Sequence, residues 1–284
     1  MKLSKIILLS FVFLGLLQAS QIKTNKLTLG FMPYLSGKVL LKKYTPLANY
    51  LSQELDIKVE IVIAKNYTKH IEDTGNDKLD ISFLGGSPYV VITDKYGKKP
   101  LLARYEFNGK PTFGSVIFVS QNSPIKTLAD LKDKSFAFGN AKSTLSTQVP
   151  LYMLMNNGIK LDDLSHFKHL KNHENVIYGV AYDDFNAGSV AQEVFNEKKY
   201  EGIRLLEKSP EVSTHVFVTR SNMPKELQTK IKQALLKLKT TPSKSFIFKN
   251  ISKSLTGFVD VKDSDYNYHR DMLKAVLPEL TKER

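Results

Sequence analysis

A short stretch in the middle of the chain carries four hydroxyl side chains within five residues. Ser143, Thr144, Ser146 and Thr147 follow one apolar segment and precede another, which is the pattern of a loop between a strand and a helix. A helix N-terminus has unpaired backbone N–H groups and about half a positive charge, so it attracts anions. The hydroxyls can add neutral hydrogen bonds, and Lys142 adds charge beside them. The stretch therefore favours an anion-binding loop, although Ser and Thr also cap helices without binding a ligand.

Side chains that could build a catalytic or metal site are sparse. The chain has no Cys, which excludes disulfides, Cys-based metal sites and cysteine catalysis. His166, His169 and His173 have the spacing of a metal-binding helix face. Their segment is more typical of a strand, on which the three side chains would not converge. Ser87 lacks the Gly-x-Ser-x-Gly pattern of a hydrolase. We therefore expect no metal, no cofactor and no enzymatic activity.

Composition restricts the class of protein and of partner. Among 284 residues, 41 Lys+Arg stand against 28 Asp+Glu, a formal net charge of +13. Such a charge admits nucleic acid, an anionic membrane surface or an acidic small ligand. An apolar share of 42% excludes a disordered polyelectrolyte.

The first residues narrow that choice. Lys2 and Lys5 precede an apolar run at residues 6–17, and the small residues Ala19 and Ser20 follow. The run is too short to span a bilayer, so it predicts a secretory signal peptide at residues 1–19, with an uncleaved anchor as the alternative. Export argues against a nucleic-acid partner, and the absence of Cys removes a lipid attachment site. We expect a free periplasmic protein.

Strand and helix signals alternate along the rest of the chain. This order predicts an α/β fold with a largely parallel sheet. Thr45 and Pro46 predict the N-cap and first position of a helix. Pro150 predicts a helix that starts near Ser146 or is kinked. Strands are predicted at residues 27–31, 59–63, 79–83 and 136–138, and helices at residues 67–72, 88–96 and 149–155.

Two segments about 100 residues apart resemble each other. Residues 114–124 and 214–224 each run an apolar strand into a polar turn that ends in proline. A chain that leaves one lobe and returns to it needs two crossing segments. We therefore predict a discontinuous lobe 1 at residues 20–117 and 217–284 and a lobe 2 at residues 118–216. Two unrelated edge strands are the alternative.

The hydroxyl-rich loop also carries a family resemblance. Residues 138–150 resemble the Ser-Thr-Ser-Gly…Pro phosphonate-binding loop of PhnD-type periplasmic binding proteins, the solute receptors of phosphate/phosphite/phosphonate ABC transporters. Other segments match this family in the same order. They are residues 44–51, 65–67, 80–85, 123–131, 172–174 and 209–210.

The resemblance implies a type II periplasmic-binding-protein fold, in which two α/β lobes joined by two crossover strands close on an anion. It implies a monomeric receptor for a phosphonate, phosphite or phosphate ion that docks on an inner-membrane ABC permease with its ATPase. A sensor of the same fold that signals to a membrane histidine kinase is the alternative. An exported hydrolase of phosphorylated substrates is a third hypothesis, but it lacks a recognisable nucleophile or metal cluster.

The resemblance also implies roles for single residues in holding the phosphorus oxyanion. Ser143 and Thr144 would bind the phosphoryl oxygens, and His173 matches a ligand-contacting His of the family. Leu145 stands where many relatives have Ser, so only its backbone N–H could contribute. Ser146 replaces a family Gly and would restore the lost hydroxyl.

Four further positions are implied to surround the ligand's substituent. Tyr67 matches a cleft Tyr of the first lobe, and Phe113 stands where aminoethylphosphonate-binding relatives have Tyr. His215 aligns with an acidic residue that holds the ligand's amine in those relatives, and Glu193 matches the second such acid. A cationic amine would therefore be recognised less well here. A plain phosphate, phosphite, methylphosphonate or another oxyanion fits the implied pocket equally well.

Overall fold

Strands and helices alternate along the described chain, as the sequence predicts. The computed structural model describes residues 26–198 and 202–282. The predicted signal peptide lies outside these residues, and within them no helix is long and apolar enough to cross a membrane. The strands are β1 (Lys26–Phe31), β2 (Lys58–Ile63), β3 (Ile81–Leu84), β4 (Leu101–Phe107), β5 (Thr112–Phe113), β6 (Ser115–Ser120), β7 (Ser135–Phe138), β8 (His166–His169), β9 (Ala187–Ala191), β10 (Ile203–Lys208), β11 (Val212–Ser213), β12 (Val216–Thr219) and β13 (Leu255–Val259).

The helices pack on the sheets that these strands form. One π-helical turn, Thr144–Gln148, precedes the fourth α-helix. The α-helices are α1 (Gly37–Leu55), α2 (Tyr67–Gly75), α3 (Gly86–Tyr96), α4 (Val149–Asn156), α5 (His173–Ala181), α6 (Gln192–Lys198), α7 (Lys225–Lys237), α8 (Phe246–Ile251) and α9 (Asn267–Leu280).

The first sheet has six strands in the order β13-β4-β12-β3-β1-β2. β1 pairs in parallel with β2 and β3, whereas β12 runs antiparallel to both of its neighbours, β3 and β4. With the antiparallel pairing of β13 and β4, three of the five strand pairings are antiparallel, so the prediction of a largely parallel sheet is wrong for this sheet. The reason is the route of the chain, because β12 enters directly from the crossing strand β11 and not through a helical crossover that would make it parallel.

The second sheet has five strands in the order β10-β6-β9-β7-β8. The chain passes between the two sheets through β5 and β11, which pair antiparallel with Val212 opposite Phe113. All of β6 pairs within the second sheet, which favours a first boundary near residue 114 instead of residue 117. The division of the chain into lobes stays a prediction. Below, lobe 1 denotes residues 26–111 and 214–282, and lobe 2 denotes residues 114–211.

Each sheet is anchored by buried apolar side chains. Leu27, Leu29 and Phe31 of β1 are fully buried, as are Phe136 and Phe138 of β7. Each such side chain stabilises the fold by about 1.5–3 kcal/mol. These cores fix the carboxyl ends of β1, β3, β7 and β9, from which the loops of the candidate site extend.

Helix α1 begins at Gly37, so the predicted start at Thr45 and Pro46 is wrong. Pro46 lies inside the helix, where proline removes the hydrogen bond to the carbonyl four residues earlier, that of Lys42. The Asn250 side-chain amide donates to this carbonyl at 2.6 Å from 208 residues further along the chain. This long-range hydrogen bond, absent from any local pattern, makes the proline tolerable.

Candidate ligand-binding site

A small cavity lies between the two lobes, at the carboxyl ends of their central strands. Its volume is about 10 Å³, roughly the room that one water molecule needs. The cleft between the lobes is therefore nearly closed. The lining residues are Met32, Tyr34, Tyr67, Gly85, Pro88, Ser143, Thr144, Leu145, His173, Ala191, Glu193 and His215.

Four helical N-termini meet at this cavity. α2, α5 and the π-helical turn begin at the lining residues Tyr67, His173 and Thr144. α3 begins directly after the lining residue Gly85. Each N-terminus contributes backbone N–H donors and about half a positive charge. No lysine or arginine is among the described lining residues, so the attraction for an anion comes from backbone dipoles.

The hydroxyl-rich loop forms the lobe 2 side of the cavity. Ser143 has extended backbone dihedrals and caps the π-helical turn, where its Oγ accepts a hydrogen bond from the Ser146 N–H at 3.4 Å. Pro150 lies in the first turn of α4, where a missing N–H costs no helical hydrogen bond. The predicted kink or early start near Ser146 is thus replaced by a π-helical turn that begins at Thr144.

Thr144 joins the two lobes. Its Oγ1 accepts a hydrogen bond from the backbone N–H of Ser87, in the first turn of α3, at 2.9 Å. Gly85 makes this approach possible, since a Cβ there would lie 3.1 Å from the same oxygen. Gly86 is constrained within lobe 1 instead, because a Cβ there would lie 2.2 Å from Nε2 of His269 in α9. The first of these glycines thus allows the contact with lobe 2, and the second allows α3 to pack on α9.

His173 supplies a neutral hydrogen-bond donor. Its Nδ1 accepts from the Ala191 N–H at 3.2 Å, which assigns the ring proton to Nε2. Burial lowers the pKa of His173 to about 4, so the ring is uncharged at neutral pH. Its backbone N–H donates to the Tyr34 carbonyl of lobe 1 at 3.2 Å. The residue thus lines the cavity and bridges the cleft.

Two tyrosines of lobe 1 face these donors. Tyr67 is buried and hydrogen-bonds with the Ser143 side chain, and burial raises its pKa well above the ordinary value. The hydroxyl of Tyr34 lies 2.7 Å from that of Tyr44, which accepts from the Tyr105 hydroxyl at 2.9 Å. This buried chain of hydroxyls fixes the Tyr34 ring beside the cavity.

Glu193 and His215 also line the cavity. Burial raises the pKa of Glu193 to about 7, and the neighbouring Glu197 adds to the shift. Burial lowers the pKa of His215 to about 3, and His173 adds to that shift. The His215 ring stacks on Phe83 with centroids 4.7 Å apart, and its buried Nδ1 has no partner among the described residues.

Two predicted site residues lie outside this cavity. The Ser146 hydroxyl packs against Gly139 so closely that a Cβ added to Gly139 would lie 2.0 Å from the Ser146 Oγ. Phe113 lines another cavity, of about 180 Å³, at the crossing strands. It meets the His215 ring edge-on with centroids 4.9 Å apart and stacks on Phe107. The other six predicted residues, Tyr67, Ser143, Thr144, His173, Glu193 and His215, come together.

The sequence analysis missed Met32, Tyr34 and Ala191. Met32 and Tyr34 follow the carboxyl end of β1, and Ala191 is the last residue of β9. Ligands of open α/β sheets bind at such strand ends. That rule, applied to the predicted strand at residues 27–31, could have identified Met32 and Tyr34.

The three closely spaced histidines do not form a metal site. His166 and His169 lie on β8, as the strand prediction requires, whereas His173 begins α5. His169 Nδ1 lies 2.8 Å from the carbonyl of Gly139. Within the part of the chain that the structure describes, no group of three or more His, Cys, Asp or Glu could hold a metal ion.

Comparisons with known proteins connect this geometry to a family. The model of the periplasmic phosphonate substrate-binding proteins of ABC transporters matches residues 29–266. The chain is 25% identical over 238 residues to the phosphonates-binding periplasmic protein of Escherichia coli K12, covering 79% of this chain and 70% of that one. It is 26% identical over 214 residues to a probable ABC transporter phosphite-binding protein of Prochlorococcus marinus, covering 69% and 70%.

A solved structure supports the fold. The Prochlorococcus marinus protein PhnD1, in complex with methylphosphonate, superposes with a TM-score of 0.82 at 20% sequence identity. The superposition covers 89% of this chain and 99% of that one. The two-lobed α/β architecture of periplasmic binding proteins is therefore shared.

Proposed function

This chain belongs to the family of periplasmic phosphonate substrate-binding proteins of ABC transporters, and we propose that its cleft holds the tetrahedral head of a phosphonate, phosphite or phosphate ion. Proteins of this family bind a small ligand and work with an ABC permease and ATPase. The proposal adds which chemical group is bound and which residues of this chain bind it.

The convergence of four helical N-termini on one cavity without a cationic side chain carries the proposal. An oxyanion can accept hydrogen bonds from many directions, and N–H groups at helix N-termini point toward such a ligand. Ser143, Thr144 and the Nε2–H of His173 add neutral donors at the same point. A cationic cage would serve any anion, whereas this arrangement suits a compact ion with several oxygens.

We propose the following roles. Ser143 and Thr144 donate hydroxyl hydrogen bonds to the phosphoryl oxygens, and the N–H of Leu145 adds a backbone donor. His173 donates from Nε2, and the hydroxyl of Tyr67 donates from lobe 1. Ser146 takes no part, because its hydroxyl packs against Gly139.

Closure of the two lobes would complete the site. In the described conformation the Ser36 N–H donates to Glu174 at 2.9 Å across the cleft, and the Ser87 N–H donates to Thr144. A ligand shifts the balance toward closure only if it binds the closed form more tightly. The donors come from both lobes, so an ion that contacts all of them is bound best when the lobes are closed. The closed protein would then dock on the permease.

Titration calorimetry on the exported protein with methylphosphonate, phosphite and phosphate tests the proposal. We expect at least one of the three to bind. The Ser143→Ala, Thr144→Ala double variant should lose roughly 1.5–3 kcal/mol of binding free energy for each hydrogen bond to the charged ligand. Ser146→Ala is the matched control, because it removes a hydroxyl of the same loop that does not line the cavity. Absence of binding by all three ions would refute the proposal.

Family membership bears on the expected compartment, and we propose the oligomeric state and the lack of catalysis beside it. The relatives are periplasmic, and we propose the same compartment for this chain, reached through the predicted signal peptide. We also propose that it acts as a monomer and without catalysis. Incubation with phosphomonoesters and divalent metal would reveal a hydrolase by release of phosphate. A sensor of the same fold stays the alternative prediction. A neighbouring gene for a histidine kinase would favour the sensor, and one for a permease would favour the transport receptor.

A further inference from the structure

The charges at the cavity are unusual for an anion site. Glu193 is the only carboxylate among the lining residues, and none of the described lining residues is a lysine or arginine. His173 and His215 are neutral at physiological pH, since burial lowers the pKa of both. An oxyanion at this position therefore meets a carboxylate with no fixed cation between them.

Glu193 forms no ion pair among the described residues. The charge of Lys43 lowers the pKa of Glu193, but the Lys43 ammonium lies 3.4 Å from Glu197 and donates to the Ile251 carbonyl at 2.6 Å. Other titratable groups face it from the cavity and from the neighbouring space at the crossing strands. They are His173, His215, Lys110 and Glu211, besides tyrosines that remain neutral.

We propose that Glu193 makes this cleft selective for oxyanions that bring their own proton, so that it accepts a hydrogen bond from a P–OH group and rejects a sulfonate or sulfate of the same shape. This inference rests on the proposed function. Phosphonate, phosphite and phosphate carry a second proton that titrates near neutral pH, whereas sulfonate carries none. One proton lies between the carboxylate and the ligand oxygen, and no covalent bond changes.

Contact between the Glu193 carboxylate and a sulfonate, which has no proton to share, is unfavourable. Two anions in contact in a cavity without water repel each other, and neither can lose its charge except by taking up a proton. The neighbouring donors Ser143, Thr144 and His173 serve either ion equally. We therefore assign the discrimination to Glu193, the one carboxylate among the described lining residues.

The test compares methylphosphonate with methanesulfonate, which share size and shape, by calorimetry at about pH 7.5. The wild type should prefer methylphosphonate by roughly 10- to 100-fold, the range for hydrogen bonds to charged groups. Glu193→Gln should reduce this preference at least about tenfold, chiefly by gaining affinity for methanesulfonate. Asp184→Asn, which changes an exposed carboxylate of lobe 2 outside the cavity lining, should keep the wild-type preference.

A second measurement needs no variant and so avoids any folding defect of Glu193→Gln. Lowering the pH to about 5.5 protonates Glu193, whose pKa burial raises to about 7, while His173 and His215 stay neutral. Wild-type affinity for methanesulfonate should then rise about fourfold, the ratio of the protonated fractions of Glu193 at the two pH values.

The outcomes separate the two proposals. A wild type that binds both ions equally at about pH 7.5, or a Glu193→Gln protein with the wild-type preference, overturns the role of Glu193 and leaves phosphorus-oxyanion binding intact. A methanesulfonate affinity that does not change with pH also overturns it. A wild type that binds no phosphorus oxyanion refutes the proposed function, and the selectivity with it.

Discussion

The two walls of the cleft differ in the groups that they present. The lobe 2 wall, which we call the donor wall, includes Ser143, Thr144, His173 and Glu193, polar residues at or next to the start of a helical segment. The lobe 1 wall, which we call the aromatic wall, includes Met32, Tyr34, Tyr67, Gly85 and His215, of which Tyr34, Tyr67 and His215 carry rings.

This difference indicates a division of roles. The N-termini of the π-helical turn and α5 orient the donor wall, so its hydrogen-bonding atoms are in place before any ligand enters. The aromatic wall adds the N-termini of α2 and α3, and it is positioned by contacts among its own rings, such as Tyr34 and His215 with centroids 6.0 Å apart. The first wall would supply most of the side-chain donors to the ion, and the second would add the Tyr67 hydroxyl and set the size of the cavity.

Acidification should have the largest effect, because it reaches both walls at once. Burial lowers the pKa of His70, His173 and His269 to about 4 and that of His215 to about 3. An unfolded histidine titrates near pH ~6.5. The unfolded chain therefore binds more protons than the folded one between about pH 6.5 and 4, and stability falls as the pH falls through this window.

Glu193 acts in the opposite direction. Its raised pKa of about 7 means that the folded protein holds an extra proton between about pH 4.5 and 7. Four histidines outweigh one carboxyl, so the free energy of unfolding should drop by on the order of 5 kcal/mol from pH 7 to pH 5. Urea denaturation at both pH values measures it, and equal stabilities would contradict the burial of these histidines.

Within the donor wall, His173→Ala should have the next largest effect. The substitution removes the proposed Nε2–H donor and leaves the Ala191 N–H without its acceptor. Affinity for the phosphorus oxyanion should fall roughly 10- to 100-fold, corresponding to about 1.5–3 kcal/mol for the hydrogen bond to the charged ligand. The orphaned Ala191 N–H lowers the stability of the free and the bound protein alike. Calorimetry checks this, with His173→Gln as the control that retains an N–H donor. A loss of less than about threefold would place recognition elsewhere.

The smallest effects should come from the two tyrosines of the aromatic wall, and they should differ in kind. Tyr67→Phe removes a proposed donor to the ligand, so affinity should fall about 3- to 10-fold. Tyr34→Phe removes a hydroxyl bonded to Tyr44, so it should lower stability by about 1 kcal/mol and leave affinity nearly unchanged. Paired calorimetry and denaturation on both variants decide it. A larger affinity loss in Tyr34→Phe would reverse these assignments.

Local patterns predicted the parts of the molecule that local forces determine. The strand at residues 27–31, the start of α2 at Tyr67 and the hydroxyl loop after β7 all lie where apolar periodicity and capping residues place them. Together with the family resemblance, these patterns identified six residues that line the cavity.

Features that depend on distant contacts could not be predicted. Pro46 is tolerated inside α1 only because Asn250 reaches its orphaned carbonyl. The hydroxyl of Ser146 turns toward Gly139 because the π-helical turn changes the helical spacing. The net charge of +13 admits an anionic ligand but does not locate it, because backbone dipoles are invisible to composition. The described lining holds no lysine or arginine.

With the lobe ranges used above, lobe 2 is an insertion into lobe 1 between the paired crossing strands β5 and β11. Phe113 and Val212 lie opposite each other in β5 and β11, so the ends of the inserted segment are only about 5 Å apart. A segment whose ends lie one strand spacing apart can be exchanged for that of a relative without stretching either crossing strand. Such an exchange would carry the whole donor wall with it and leave the aromatic wall in place. The topology therefore allows the hydrogen-bonding groups of the donor wall and the shape of the aromatic wall to change independently.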